Sequence, residues 1–269
     1  MSNLALKTTH FLLLFSCAAI VTAQNTFYQT IKVRGVTLSH NHRPLQNGQK
    51  FKKNNALTFG STKDFVVVMD EKKACFTLQP DGSLRQYVAK SLSVPIDTRR
   101  GDILNDLQLR WFLRQHDSLL LLNGRFSLVL GQEAFPMDDN HFFYLEYRWK
   151  GNTIPKKLGF RKDTLFIDAK ELYKVDEKPI DPVEVGEQYF IRYYDAKTNS
   201  SVGYPDAVQP IYIIRPNEEE LKKEVQVLLK ASQGKDIKTR TLQIDDYLKR
   251  FYGTAGDWEL ARLIKKLDK

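Results

Sequence analysis

Leu119-Leu120-Leu121-Leu122-Asn123-Gly124-Arg125-Phe126-Ser127-Leu128-Val129-Leu130 decides which kind of sheet this chain builds. Two apolar runs of strand length flank Asn-Gly, the dipeptide that tolerates both positive φ angles of a type I′ turn, so the spacing predicts a β-hairpin. The same signals recur downstream. Residues 142–149 and 154–160 flank Gly151-Asn152 and predict a second hairpin, and further strands are expected over 164–167, 189–194 and 208–214. About seven strands, each bounded by turn residues, predict a compact antiparallel β-sandwich-like domain over residues 118–216. The Cys…Trp…Cys spacing of an immunoglobulin domain is missing, so the sandwich is an architecture only.

Upstream of that domain, residues 96–117 read as a helical linker. Ile103, Leu104, Leu107 and Trp111 fall near helical spacing, with Asp102 placed to cap the start. Arg100-Gly101-Asp102 spells an integrin-binding string, but three-residue matches arise by chance and the aspartate has a helix start to serve.

Residues 24–95 carry shorter strands. Residues 30–34 alternate at period two, 44–48 supply turn residues, 65–69 form a β-branched buried run, and 75–78 precede Pro80-Asp81-Gly82. A small β-sheet or barrel-like module follows. Leu45-x-x-Gly48, Leu57-x-Phe59-Gly60, the 65–69 strand and Asp81-Gly82-Ser83-Leu84 succeed one another in an order that resembles the periplasmic β domain of FecR-type proteins. The resemblance spans residues 31–90, about a quarter of the chain. It implies that fold for the module. FecR-type proteins usually carry a cytoplasmic helical segment and a transmembrane helix ahead of this domain and signal across the inner membrane. Here a cleavable export signal stands in that place, so the resemblance extends to the fold and not to a route toward a cytoplasmic sigma factor.

The last segment, residues 217–269, switches to helical periodicity. Pro216 stops the preceding strand, Asn217 is placed as a cap, and Glu218, Glu219 and Glu220 suit a helix N-terminus. Leu221, Val225, Leu228 and Leu229 make one apolar stripe, Ile244, Leu248 and Phe251 a second, and Leu260, Ile264 and Leu267 a third beginning at Asp257. Packing against one another or against the sandwich accounts for such stripes; a docking surface for a partner is the sharper alternative. The expected class is therefore α+β, mainly β: a small N-terminal β module, an antiparallel sandwich-like domain and C-terminal helices.

Residues 1–23 read as a signal peptide. Lys7 supplies the positive n-region, residues 11–21 the apolar segment, and Val21-Thr22-Ala23 the small-residue boundary ahead of Gln24. Crossing a bilayer takes about 20 apolar residues and this run has roughly half, so no transmembrane segment is expected in the mature chain. A competing reading takes Leu14-Phe15-Ser16-Cys17 as a lipobox whose cysteine is acylated, although Phe15 is bulky and the apolar segment continues through Val21. Both readings place the protein outside the cytoplasm, in the periplasm or beyond.

Composition bounds the rest. With 42% hydrophobic and 27% charged residues among 269, the chain is globular and neither disordered nor collagenous. Cys75 is the single cysteine past the signal, which excludes an internal disulfide scaffold. The net charge of +9 is uneven: residues 24–95 hold 11 Lys/Arg against 4 Asp/Glu, whereas 96–216 hold 17 against 18. That local excess points to an anionic partner, with Lys50, Lys52, Lys53, Lys72 and Lys73 as candidate binding residues. Lysines near turns also serve as solvated edge protection. Nucleic acid is a poor partner for an exported chain whose basic positions are not interleaved with aromatics.

Catalytic signals are sparse. Cys75 lies in Ala74-Cys75-Phe76-Thr77-Leu78, an apolar strand pattern in which a thiol packs as a small hydrophobe. His40-x-His42 and Asp138-Asp139-Asn140-His141 each have ligand-type residues, but both sit in turn-forming contexts, and neither a metal site nor a cofactor is expected. Phosphate loops, Gly-x-Ser-x-Gly elbows, His-Glu-x-x-His and Cys-x-x-Cys are missing. Asn199-Ser200-Ser201 is a glycosylation sequon only in a eukaryotic secretory route. The sequence thus reads as an exported, non-catalytic envelope interaction protein that binds a protein or an anionic envelope polymer. A third reading makes the small module an SH3-like binder of peptidoglycan or anionic polymer. The enzymatic alternative is a glycan- or peptide-directed hydrolase whose carboxylate pair meets only in the fold.

Overall fold

The computed structural model describes residues 26–39, 41–91 and 102–268. Residues 1–23, read above as an export signal and containing Cys17, lie outside the described residues, as do His40 and the Arg100-Gly101 pair.

The N-terminal module contains β1 (Phe27–Arg34), β2 (Val36–Leu38), β3 (Arg43–Pro44), β4 (Lys50–Lys52), β5 (Leu57–Phe59), β6 (Phe65–Asp70), β7 (Cys75–Pro80) and β8 (Tyr87–Ser91). They form an antiparallel five-stranded sheet ordered β4-β1-β6-β7-β8 and a small sheet ordered β3-β2-β5. The run expected at 65–69 is a central strand buried on both faces. Val66 and Val68 pack with Leu57, Phe59 and Leu78 on one side, while Val67 and Met69 face the C-terminal helices on the other. At the β1–β2 corner Gly35 has φ +63°, and a Cβ there would fall 2.2 Å from the Asp64 carboxylate, so any larger residue is strained and must displace that side chain.

Residues 102–175 add α1 (Asp106–Gln115), β9 (Ser118–Leu120), β10 (Arg125–Val129), β11 (His141–Trp149), β12 (Asn152–Lys157), β13 (Gly159–Arg161), β14 (Thr164–Asp168), α2 (Ala169–Leu172) and β15 (Lys174–Val175). Then come β16 (Lys178–Pro179), β17 (Gln188–Asp195), β18 (Ser200–Tyr204), β19 (Ile211–Ile214), α3 (Glu218–Ala231), α4 (Ile237–Phe251), β20 (Thr254–Ala255) and α5 (Asp257–Leu267). The content, 41% strand and 25% helix, makes the protein α+β and mainly β.

The Asn123-Gly124 turn forms as expected, with φ of +51° and +76°, but the hairpin around it does not extend. Pairing stops at a single Leu122–Arg125 bridge. β9 then runs parallel to β19 on one side and to β20 on the other, while β10 pairs with β14. Burial explains the divergence. Leu119 and Leu121 face the core of the β domain, and Leu120 and Leu122 face the helices, so this run is covered on both sides in the manner of a central parallel strand. The larger sheet is ordered β12-β11-β17-β19-β9-β20 with β18 paired to β17, and the smaller is β10-β14-β13. Phe126, Phe135, Phe143, Leu145, Tyr147 and Ile191 fill their shared core. The β11–β12 hairpin turns at Lys150-Gly151, one residue earlier than expected, and β19 begins at Ile211 because the backbone near exposed Val208 is bound to Asp206.

The linker helix is shorter and turned differently from its expectation. Ile103 is held in an extended bridge, donating to the Val129 carbonyl and accepting from Gly131 N–H, so α1 starts only after Asn105, whose side chain caps Gln108 N–H. Leu109 and Leu113 form its buried face; Leu104, Leu107 and Trp111 point to solvent. The C-terminal helices follow their stripes, with Asn217 and Asp236 capping α3 and α4. Their apolar faces join Ile31, Val67 and Met69 of the first module to Leu120 of β9 and the following Leu122 in one core. Each fully buried Leu or Ile there contributes about 1.5–3 kcal/mol.

Candidate functional site

The five lysines fall into separate settings. Lys50 and Lys52 are exposed on β4, an edge strand. Lys53 is half-buried and occupied, with Nζ 3.4 Å from Asp70 Oδ2 and 4.9 Å from the Tyr28 ring centroid. Lys72 and Lys73 are exposed in the β6–β7 turn, where Lys73 has φ +63°. Tyr28 pairs with both Phe51 and Asp70, so β4 and that turn sit at the same end of the sheet. Of the five, only Lys73 also lines the groove between this turn and α4.

That groove encloses about 420 Å³. Ile31, Leu228, Ala231, Leu242 and Phe251 give it an apolar floor, and Lys73, Lys235 and Arg250 give it a cationic rim, with Asp246 as a lining carboxylate. The floor is stiffened by Phe251, stacked on Phe65 at 5.6 Å and packed on Tyr247 at 5.0 Å. Cys75, expected inside a strand core, is only partly buried and opens onto this groove. Burial, and secondarily the charge of Asp70, pushes its thiol up to about 11 despite the opposing pull of Lys235. At neutral pH it is a protonated thiol, unsuited to nucleophilic attack.

One wall of the groove is locked by a buried carboxylate. Glu224 on α3 accepts from Tyr247 and Tyr252 hydroxyls at 2.8 and 2.7 Å through Oε2, and from Lys32 Nζ and Asn47 Nδ2 at 3.3 and 3.2 Å through Oε1. Lys32 also donates to Tyr252 Oη at 2.6 Å. Burial first, and then the adjacent carboxylate, raises the Tyr247 phenol well above its ordinary value. Four donors surround this carboxylate, so it fastens the module to the helices and has no coordination left for catalysis.

Asp138 accepts from the backbone of Asn140 and His141, both at 2.7 Å, which is the turn chemistry expected of that segment. His141 lies between Asp138 at 3.0 Å and Asp195 at 3.4 Å, while Asp139 pairs loosely with Lys157 at 3.8 Å. Among the described residues there is no group of three or more His, Cys, Asp or Glu arranged to hold a metal ion, and no helix is long and apolar enough to cross a membrane.

Lys235, Leu242 and Arg250 escaped the sequence reading. Thr239, Leu242, Gln243, Asp246 and Arg250 recur at spacings of three and four, a helix face adjoining the buried stripe, and that periodicity was the available signal. No protein-family model, curated protein or solved structure matches this chain.

Proposed function

We propose that this protein is an exported, non-catalytic interaction protein of the cell envelope, and that the groove between the β6–β7 turn and α4 holds an anionic partner, a protein segment or envelope polymer that also carries apolar groups. One observation carries the reading: Lys73, Lys235 and Arg250 rim an apolar floor. A purely acidic ligand would need no such floor, and a purely apolar one no such rim. The signal-like residues 1–23 support the location, and the FecR-type resemblance of residues 31–90 supports an envelope setting for the module. The hydrolase alternative calls for a desolvated carboxylate pair converging on a cleft, whereas the buried glutamates Glu224 and Glu259 are hydrogen-bonded to interior hydroxyls, and Asp102 and Asp257, which line one cleft, are both exposed to solvent.

The test uses 1-anilinonaphthalene-8-sulfonate, an aromatic anion, with the folded protein. Saturable binding is expected, weakened by Lys235→Glu and Arg250→Glu and by salt, since screening shortens from about 10 Å at 0.1 M to about 3 Å at 1 M. Bound probe should also protect Cys75 from alkylation at alkaline pH. Binding that ignores both substitutions and leaves Cys75 unprotected overturns the site. Export is tested by intact mass: a processed chain beginning at Gln24 is expected; lipid on Cys17 replaces that cleavage site with the lipobox, and an unprocessed chain retained in the cytoplasm overturns export.

A further inference from the structure

A second cleft, lined by residues of α1, β10, α4 and the start of α5, encloses about 240 Å³. Trp111 and Trp258 both line it, and they are 60% and 73% exposed. The chain has three tryptophans. The third, Trp149, is treated as proteins ordinarily treat an indole: its N–H donates to Glu184 Oε2 at 3.1 Å, Lys150 covers its ring at 4.8 Å, and the side chain packs on the core. Neither Trp111 nor Trp258 has a hydrogen-bond, ring or cation partner among the described residues. Two bare indoles therefore border one cleft, and its remaining lining includes Asp102, Gln108, Asp257 and Lys249, whose ammonium is also paired with Asp245 Oδ2 at 3.1 Å.

We infer that this cleft is a saccharide-binding site. A pyranose ring has an apolar face of C–H groups and a girdle of hydroxyls, each both donor and acceptor. Its recognition requires a flat apolar surface that stays bare in the unliganded protein, ringed by carboxylate, amide and ammonium groups. An indole supplies the first, and those four side chains supply the second. Gln108 is held in place because its Oε1 accepts from Leu104 N–H at 2.6 Å. A peptide-docking surface is the competing occupant, since Leu104, just ahead of α1, and Leu107 on it are also exposed. Those two leucines do not line the cleft, whereas the polar groups do, and that placement favours a sugar. The site is separate from the cationic groove and does not depend on it.

The experiment titrates the folded protein with uncharged hexasaccharides, namely cellohexaose, chitohexaose and maltohexaose, by tryptophan fluorescence and calorimetry. At least one should bind saturably, and should protect two tryptophans from N-bromosuccinimide oxidation. Trp111→Ala and Trp258→Ala should each weaken binding tenfold or more without lowering the melting temperature, because both side chains are exposed. Leu107→Ala and Trp149→Phe should leave it within twofold. Absence of binding by all three sugars at millimolar concentration, or binding unaffected by both tryptophan substitutions, overturns the proposal. Sugar binding weakened by Leu107→Ala as much as by the tryptophan substitutions overturns the placement of the sugar in this cleft, because Leu107 does not line it.

Discussion

Lys32 and Glu224 are 192 positions apart in the chain and meet at 3.3 Å, with the carboxylate almost wholly buried and the ammonium partly so. The pair ties β1 to α3, and two tyrosines and an asparagine complete the shell around the carboxylate. Removing the carboxylate leaves four donors facing one another across a dry junction. Glu224→Ala is therefore expected to destabilise the protein by about 3–5 kcal/mol. Lys32→Met, which leaves the carboxylate its three neutral donors, should cost less. Denaturant unfolding of both variants decides the order, and equal losses would contradict it.

Lys52 and Lys53 should part company on charge reversal. Lys52 is exposed on an edge strand, and Lys52→Glu is expected to change stability by no more than about 0.5 kcal/mol. Lys53→Glu breaks the contact with Asp70 and sets two carboxylates side by side, so a loss of about 1–2 kcal/mol is expected. Both lysines looked alike as turn residues. Their melting temperatures, measured side by side, provide the check.

Cys75 makes stability sensitive to alkali. Its thiol is pushed up to about 11 in the folded protein, against an ordinary value of 9.0 in an unfolded chain. Below the unfolded value both states carry the proton and stability is unaffected. Between the two values the unfolded chain has lost its proton while the folded one retains it, so stability falls as pH rises through that window, by about 2–3 kcal/mol at most. Cys75→Ala should flatten this part of the profile. Alkylation of the native thiol should rise with a midpoint near 11; a midpoint at the ordinary value would refute the burial argument.

Gly253→Ala should be among the most damaging single-methyl changes. Gly253 has φ +131°, and a Cβ there would stand 2.4 Å from the Ser118 carbonyl oxygen, a backbone atom that cannot swing aside. The expected cost is about 2–4 kcal/mol, because α4 and β20 would have to shift off β9. Gly151→Ala, at φ +83° with nothing within 4 Å, carries only the conformational penalty and should cost about 1 kcal/mol.

Local signals were legible and long-range ones were not. The Phe65–Asp70 strand, the Asn123-Gly124 turn and the Asn217 cap each appear where local chemistry puts them. The partners of 119–122 were hidden. Leu119 to Leu122 is apolar at every position, so its alternation cannot name a face, and its two neighbours come from residues 211–214 and 254–255. Ser200 to Tyr204 escaped notice because serines and glycine read as a loop, although the strand's place is fixed by pairing with β17. For the groove, Lys73 was legible as a basic turn residue, while Lys235 and Arg250 belong to a segment with little net charge and became relevant only when α4 was laid beside the β6–β7 turn. The two tryptophans of the second cleft were legible as residues but not as a pair, since 147 positions separate them.

β20 is two residues long, yet as the edge strand of the larger sheet it covers one side of β9. Until Thr254 and Ala255 arrive, that side of β9 is a bare row of amide and carbonyl groups leading into the Leu119–Leu122 run, a surface that invites pairing with another chain. The helices that cover the same strand from above come from the same late stretch, and they also need Ile31 and Val67 from the beginning. Completing the sheet is thus a late event in time: a chain stopped short of residue 255 has most of its strands and leaves one side of β9 unpaired. Residues 254–255 must be made before that side is covered, and the closure joins positions more than 130 residues apart, a long loop rather than a local contact.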